Sequence, residues 1–213
     1  MYLSNFQRVV KVSSNLALNP NLILAYISDS LTSESPLDLE LPWWSWKAIK
    51  SLEKHLTKEH QVFEWGTGGS TLFLAKHAKS VTSVEQHPEW LKKLKDALNS
   101  RGIENVDLLE KDLDASSQDN FLSCSYAEAL NSKQDVIVID GEDHFGPHSE
   151  WSARELCFLL AEKWIQTPGG IIVVDDSWRY PIIREKSKAS KIVIHESVGP
   201  CRKGVTSTDF HYY

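Results

Sequence analysis

Glu64, Gly66, Gly68 and Glu85 are the residues whose types and spacing first suggest chemistry in this chain. They stand in Gln61-Val-Phe-Glu-Trp-Gly-Thr-Gly-Gly-Ser-Thr71 and, shortly after, in Ser80-Val-Thr-Ser-Val-Glu85. Gly66, Gly68 and Gly69 leave a turn without Cβ atoms, with Thr67 inside it, so a ligand can come close to the backbone where a helix begins near Ser70. Glu85, at the tip of the following strand, can accept both hydrogen bonds of a ribose diol. Two details separate the pattern from a pyrophosphate-binding turn. An acid, Glu64, precedes the first glycine by two residues, and Thr71 stands where a third glycine would be. A carboxylate there is badly placed beside a pyrophosphate and well placed beside an ammonium group. The implied ligand carries a ribose at one end and an amino acid at the other, as S-adenosylmethionine does.

More acids close the later strands: Asp112 after the third, Asp140 on the fourth, and Asp175-Asp176 on the fifth. Gathered over one crevice, such carboxylates repel one another unless cations, hydrogen bonds or a metal offset them. The segment Ile139-Asp-Gly-Glu-Asp-His-Phe-Gly-Pro-His148 is the expected acceptor side. His144 titrates near neutrality and is the candidate base; the alternative is a surface loop histidine. Between Arg179 and Lys203 the chain carries seven cations, Arg179, Arg184, Lys186, Lys188, Lys191, Arg202 and Lys203, against Glu185 and Glu196. That stretch reads either as a solvated basic surface or as a seat for an anionic group.

The elements that must position these residues follow from hydrophobic period. Strands are predicted over 62–65, 81–85, 106–109, 135–140 and 171–175, and helices over 71–78, 88–99 and about 150–165, with a helical stretch near 121–130. The first, fourth and fifth strands are continuous apolar runs, as expected of a parallel sheet covered on both faces. Lys191–His195 and Thr206–His211 flank Gly199-Pro-Cys-Arg-Lys-Gly204 and read as a terminal antiparallel hairpin. The predicted fold is α/β and doubly wound: seven strands, mostly parallel, with helices on both faces. Residues 1–41 read as a helical accessory segment and 42–213 as the main domain. Trp43, Trp44 and Trp46 precede or open a helix capped by Ser45; they pin that helix to the sheet, or alternatively cover the ligand.

Glu64, Gly66, Gly68 and Glu85 match the acid-x-Gly-x-Gly motif and ribose-binding acid of the class I, Rossmann-like methyltransferases, and the chain resembles that family from Val62 to Tyr213. The resemblance implies that S-adenosylmethionine is held by Glu64 at its amino group, Glu85 at its ribose and Asp112 at the adenine edge, with Asp114 close enough to replace Asp112. Gly66, Thr67, Gly68 and Asp140 complete the implied cofactor set. Asp140, Asp175 and Asp176 are also similar to the Mg²⁺ ligands of the catechol-type O-methyltransferases. The chain departs from that pattern at Asp176, where Asn is common, and at Asp143, where a catalytic Lys is typical. The expectation is an S-adenosylmethionine-dependent methyltransferase acting on a small or medium-sized molecule at an oxygen, with His144 and Asp140 as catalytic residues. Asp140-Gly-Glu-Asp143 stands where nitrogen-methylating enzymes carry Asn/Asp-Pro-Pro-aromatic. The alternatives are a catalytically silent cofactor-binding partner protein and an NAD-linked oxidoreductase, the latter opposed by Glu64 and Thr71.

A chain of 213 residues with 41% hydrophobic content can build one substantial domain. Its net charge of −6 leads to the expectation of no nucleic-acid partner. Cys124, Cys157 and Cys201 are few and far apart, which indicates neither a disulfide framework nor a zinc site. With no signal-peptide pattern and no apolar run of spanning length, a cytoplasmic protein with no membrane contact is expected.

Overall fold

The computed structural model describes residues 4–143 and 151–213. Helix α1 (Asn5–Leu18) opens on a capping box in which Ser4 and Gln7 satisfy each other's backbone N–H groups. A short helix α2 (Ile23–Ala25) follows, and α3 (Pro36–Leu39) is opened by the same device between Ser35 and Asp38. Ser45 caps α4 (Trp46–His55), as its sequence predicts. Then strands and helices alternate: β1 (Gln61–Trp65), α5 (Gly69–His77), β2 (Ser80–Glu85), α6 (Pro88–Ser100), β3 (Val106–Glu110), α7 (Gln118–Ser123), β4 (Val136–Ile139), α8 (Ala153–Trp164), β5 (Ile171–Val174), α9 (Pro181–Lys186), β6 (Lys191–Gly199) and β7 (Arg202–Tyr212).

The strands form a seven-stranded sheet in the order β3-β2-β1-β4-β5-β7-β6. The first five run parallel, and β7 is antiparallel to both β5 and β6. This is the predicted doubly wound sheet with its terminal hairpin. Strand order reverses between β1 and β4, which leaves a crevice at their carboxyl ends because the connections leave in opposite directions.

Side chains alternate across the sheet and build a core on each face. Val62, Val136, Val138 and Val173 pack with Trp44, Ile49, Leu52, Phe73 and Leu74 from α4, its entry and α5. Phe63, Trp65, Ile137, Ile139 and Ile172 meet Phe121, Leu156, Phe158 and Ile183 from α7, α8 and α9. Val12 and Leu22 from the first forty residues belong to the same buried cluster as Trp44, Val198 and Phe210.

The hairpin differs from the sequence prediction. Instead of a loop over 199–204, both strands extend to a tight turn at Pro200 and Cys201, and Cys201 takes a left-handed φ of 53°. The reason is packing against the N-terminal third. The Cys201 N–H donates to the Asp29 carbonyl at 2.7 Å, and the Ser30 hydroxyl donates to the Gly199 carbonyl at 2.6 Å. A Cβ on Gly199 would collide with the Trp44 carbonyl, so glycine lets the strand lie directly against the entry to α4. Arg202 is thereby placed at the start of β7, beside the ends of β4 and β5. Gly199→Ala should destabilise the chain by about 2 kcal/mol through overpacking against that carbonyl. Urea unfolding checks this, and an unchanged midpoint would mean that the hairpin tip does not bear on Trp44.

Candidate functional site

The glycine turn after β1 divides its work among three positions. Gly66 has φ of 93°, and a Cβ there would lie 2.9 Å from the Asp140–Gly141 backbone, so its task is to let β1 and β4 end side by side. A Cβ on Gly69 would strike the carbonyls of Pro36 and Leu41, which rest on the first turn of α5. At Gly68 alone of these three is the Cβ space free of backbone, with the Trp90 ring as the nearest neighbour at 3.6 Å. The room expected at all three glycines is thus open at Gly68 and filled by the chain itself at the other two.

Thr71, in the place of a third glycine, ties the turn to the acid before it. Its hydroxyl accepts from the Gly68 N–H at 3.0 Å and donates to Glu64 Oε2 at 2.7 Å, and Ser83 donates to the same oxygen at 2.8 Å. Glu64 Oε1 has no hydrogen-bond partner among the described residues. Burial pushes the Glu64 carboxyl up to about 7, against the opposing hydrogen bonds of Thr71 and Ser83. Glu64 lies beneath the turn and not on the cleft wall.

Glu85 is also buried and fully engaged. Its Oε2 accepts from the Thr67 hydroxyl at 2.8 Å, and its Oε1 accepts from the N–H groups of Gln86 and His87 at 2.9 and 3.0 Å, turning the chain into α6. Trp90, in the first turn of α6, donates its indole N–H to the Thr67 carbonyl at 2.9 Å and so lies over the glycine turn. His87 and Gln86 reach across to Glu142, after β4, at 2.7 and 3.1 Å. The Glu142 carboxylate raises the His87 pKa above its ordinary value. Asp112 is exposed on the loop after β3, where its backbone pairs with Ser125 and Tyr126, and Asp114 accepts from Ser116.

At the ends of β4 and β5 two arginines hold three carboxylates. Arg154, on the opening turn of α8, donates to the carbonyls of Gly141, Asp175 and Asp140 and to Asp140 Oδ1, at 2.8 to 3.1 Å. Trp44 donates to the other Asp140 oxygen at 2.9 Å. Arg202 reaches Asp176 Oδ1 at 2.7 Å, the Trp43 carbonyl at 2.8 Å and Asp175 Oδ2 at 3.8 Å. Thr208 and Thr206 donate to Asp175 and Asp176, both at 2.7 Å. Burial, then the neighbouring Asp140 and Asp176, lift the Asp175 pKa well above its ordinary value. Burial works against the Asp176 charge too, but Arg202 and Thr206 outweigh it and its pKa falls. Asp176 holds a left-handed φ of 48°, fixed by these partners.

This donor set does not fit Mg²⁺. Guanidinium, hydroxyl and indole groups already engage Asp140, Asp175 and Asp176, and among the described residues no three acidic, His or Cys side chains gather as ligands. Asp143, where the metal-dependent enzymes carry Lys, instead accepts from Ser152 at 3.0 Å at the start of α8. His144 lies outside the described residues.

Thr67, Gly68, Ser70 and Trp90 line a cleft of about 650 Å³ together with Asp140, Asp143, Arg154, Asp176 and Arg202. Trp43, 51% exposed, stands on its wall with the Arg202 guanidinium 4.9 Å from the ring centre. Trp44 and Trp46 are buried core. Sequence reasoning missed Arg154 and Trp90, and it named Arg202 only as one cation of the basic run. The signal for Arg154 was its place just inside the Ser152 cap of the helix after β4; for Arg202 it was the basic run itself.

No protein-family description matches the chain, and no curated protein does. Solved structures do. An rRNA methylase from Streptococcus thermophilus superposes with a TM-score of 0.52 at 14% identity, over 85% of this chain and 98% of that one. SMU.1697c from Streptococcus mutans, in complex with S-adenosylhomocysteine, gives 0.52 at 15% identity over 85% and 100%. The Thermus thermophilus 16S rRNA N2 G1207 methyltransferase, in complex with S-adenosylmethionine and guanosine, gives 0.57 at 18% identity over 86% and 45%. The rRNA enzymes among these structures overturn the expectation, drawn from net charge, that nucleic acid has no part as a partner. No helix among the described residues is long and apolar enough to cross a membrane.

The Glu64 carboxyl has a folded pKa above its ordinary 4.5, so the unfolded chain releases this proton first and folding stability falls as pH rises from about 4.5 to about 7. The loss amounts to about 3 kcal/mol by pH 8, and Glu64→Gln should remove that share of the slope. Denaturant melts of both proteins across this range test it; parallel curves would contradict it. Arg154→Met leaves the Asp140 charge uncompensated and should cost about 3 kcal/mol or more by the same assay.

Proposed function

We propose, for a chain with the fold of the class I, Rossmann-like methyltransferases, that the cleft at the β1–β4 reversal binds S-adenosylmethionine and that the protein transfers its methyl group. One observation carries this reading: the turn from Thr67 to Ser70 opens onto the cleft at the strand-order reversal, and an acid closes the next strand. The cofactor would supply an electrophilic methyl group on a sulfonium. The chain's own residues would position it. Ribose binding at Glu85 would require Oε2 to exchange the Thr67 hydroxyl for a ribose hydroxyl, a swap of one hydrogen bond for another. Trp90 would cover the ligand from the α6 side. The unpartnered Oε1 of Glu64 lies beneath the turn, off the cleft wall, so an ammonium group would reach it only if the turn shifted on binding; a positive charge there would bring its raised pKa down.

For an oxygen acceptor, Asp140 acts as an orienting group, since Trp44 and Arg154 occupy both its oxygens. His144 is then the residue to take the acceptor's proton. The NAD reading loses support because the Gly68 N–H, a natural donor to a pyrophosphate, is taken by Thr71. The silent-partner reading predicts cofactor retention without turnover across an acceptor panel.

Thermal melts with S-adenosylhomocysteine and with NAD distinguish these readings. At one hundred times its dissociation constant the true ligand adds about 2.7 kcal/mol, so S-adenosylhomocysteine should raise the melting temperature by several degrees and NAD should leave it unchanged. Gly68→Val should abolish the shift, since the new side chain would enter the cleft beside Trp90; the φ of 158° at this position also strains the variant's backbone, so circular dichroism checks that the variant is folded. Protection by NAD alone would overturn the proposal.

A further inference from the structure

A second cavity, of about 540 Å³, adjoins the cleft, and Asp176, Arg179 and Arg202 line both. Its other walls come from α1 (Arg8, Lys11), the turn Ser177–Arg179 that carries Trp178, and the hairpin strands, with Glu196 and Lys203. Trp178 is 52% exposed, a large aromatic face left in solvent. Four of the charges cancel in two pairs: Lys11 with Glu196 at 3.1 Å, and Arg202 with Asp176 at 2.7 Å. Arg8 and Lys203 have no ion pair among the described residues, and Arg179 stacks on Trp178 with its guanidinium 5.2 Å from the ring centre. The remainder is a cationic groove with an open aromatic platform, on a chain whose net charge is −6.

We infer that this groove seats the acceptor of the proposed methyl transfer and that the acceptor is a nucleotide unit: a base stacked on Trp178, with its phosphates on Arg8 and Lys203. The inference rests on the methyltransferase reading only for its word acceptor; the binding chemistry stands on the groove alone. An exposed indole offers any base a π-face, and flanking cations hold the phosphates, which is the combination that binds single-stranded nucleic acid. Ordinary anionic metabolites would use the cations and leave Trp178 idle. The acidic remainder of the surface repels a long backbone, so contact is confined to two or three phosphates near the groove. The shared Arg202–Asp176 wall places the bound unit next to the cleft that would hold the methyl donor. The same arrangement gives α1 a task, since it supplies one cationic wall.

The test is fluorescence anisotropy of the full chain with a labelled single-stranded RNA of about ten nucleotides, with nucleoside monophosphates as competitors. Binding should weaken about fivefold or more in Trp178→Ala and in the Arg8→Glu, Lys203→Glu double variant, and be unchanged in Lys54→Glu, an exposed charge reversal on α4 that lines neither cavity. The log–log salt slope should be about −1.4 to −2, the value for two or three phosphates. Monophosphates that compete at the strand's own affinity assign the groove to free nucleotides; a much tighter strand assigns it to RNA. No binding of either, or equal losses in Trp178→Ala and Lys54→Glu, would overturn the inference. Calorimetric titration with S-adenosylhomocysteine on the same samples keeps the two claims apart. If that ligand binds and nucleotides do not, the groove assignment falls alone; if nucleotides bind and that ligand does not, the cleft assignment falls alone.

Discussion

The carboxyl edge of this sheet depends on compensating crowded acids. Glu64, Glu85, Asp140, Asp175 and Asp176 all end strands there, and most are buried. Arg154 answers the acids from α8, and Arg202 from the first residue of β7. Because Arg154 binds three backbone carbonyls as well as a carboxylate, it fixes the ends of β4 and β5 relative to each other. Arg202 draws Trp43 and the hairpin onto the same edge. Removing either guanidinium would leave a desolvated carboxylate, a cost of several kcal/mol. The cleft therefore has walls that are charged, yet internally paired.

The same economy governs the glycine turn. Gly66 and Gly69 serve contacts within the protein, and Gly68 faces the cleft. Thr71 satisfies the Gly68 N–H and holds Glu64 in place, so the turn is braced from below before any ligand arrives. Bracing of this kind lowers the ordering cost of binding. The unsatisfied oxygen of Glu64 is the one element of the brace left incomplete among the described residues.

Much of the architecture was legible because the apolar runs Val136–Ile139 and Ile171–Val174 are too short for helices and too continuous for a half-exposed sheet. Ser45, Pro88 and the acid-tipped strands marked element ends by local chemistry, which sequence spacing records. The hairpin turn was misjudged because its shape depends on Asp29, Ser30 and Trp44, all more than 150 residues distant. The arginine clamps were not legible for a related reason: an arginine's partner is set by tertiary placement, so Arg154 drew no notice and Arg202 stood out only as part of a basic run. The Mg²⁺ expectation failed at the same point, since carboxylate spacing alone does not say whether a metal or a guanidinium will neutralise the group.

Hydrogen exchange of the chain with and without S-adenosylhomocysteine tests the central claim most directly. The account predicts added protection concentrated at residues 66–71, 85–90 and 140–143, the turn, the β2–α6 junction and the end of β4. Unchanged exchange at those segments under saturating ligand, or protection confined to another part of the molecule, would contradict it.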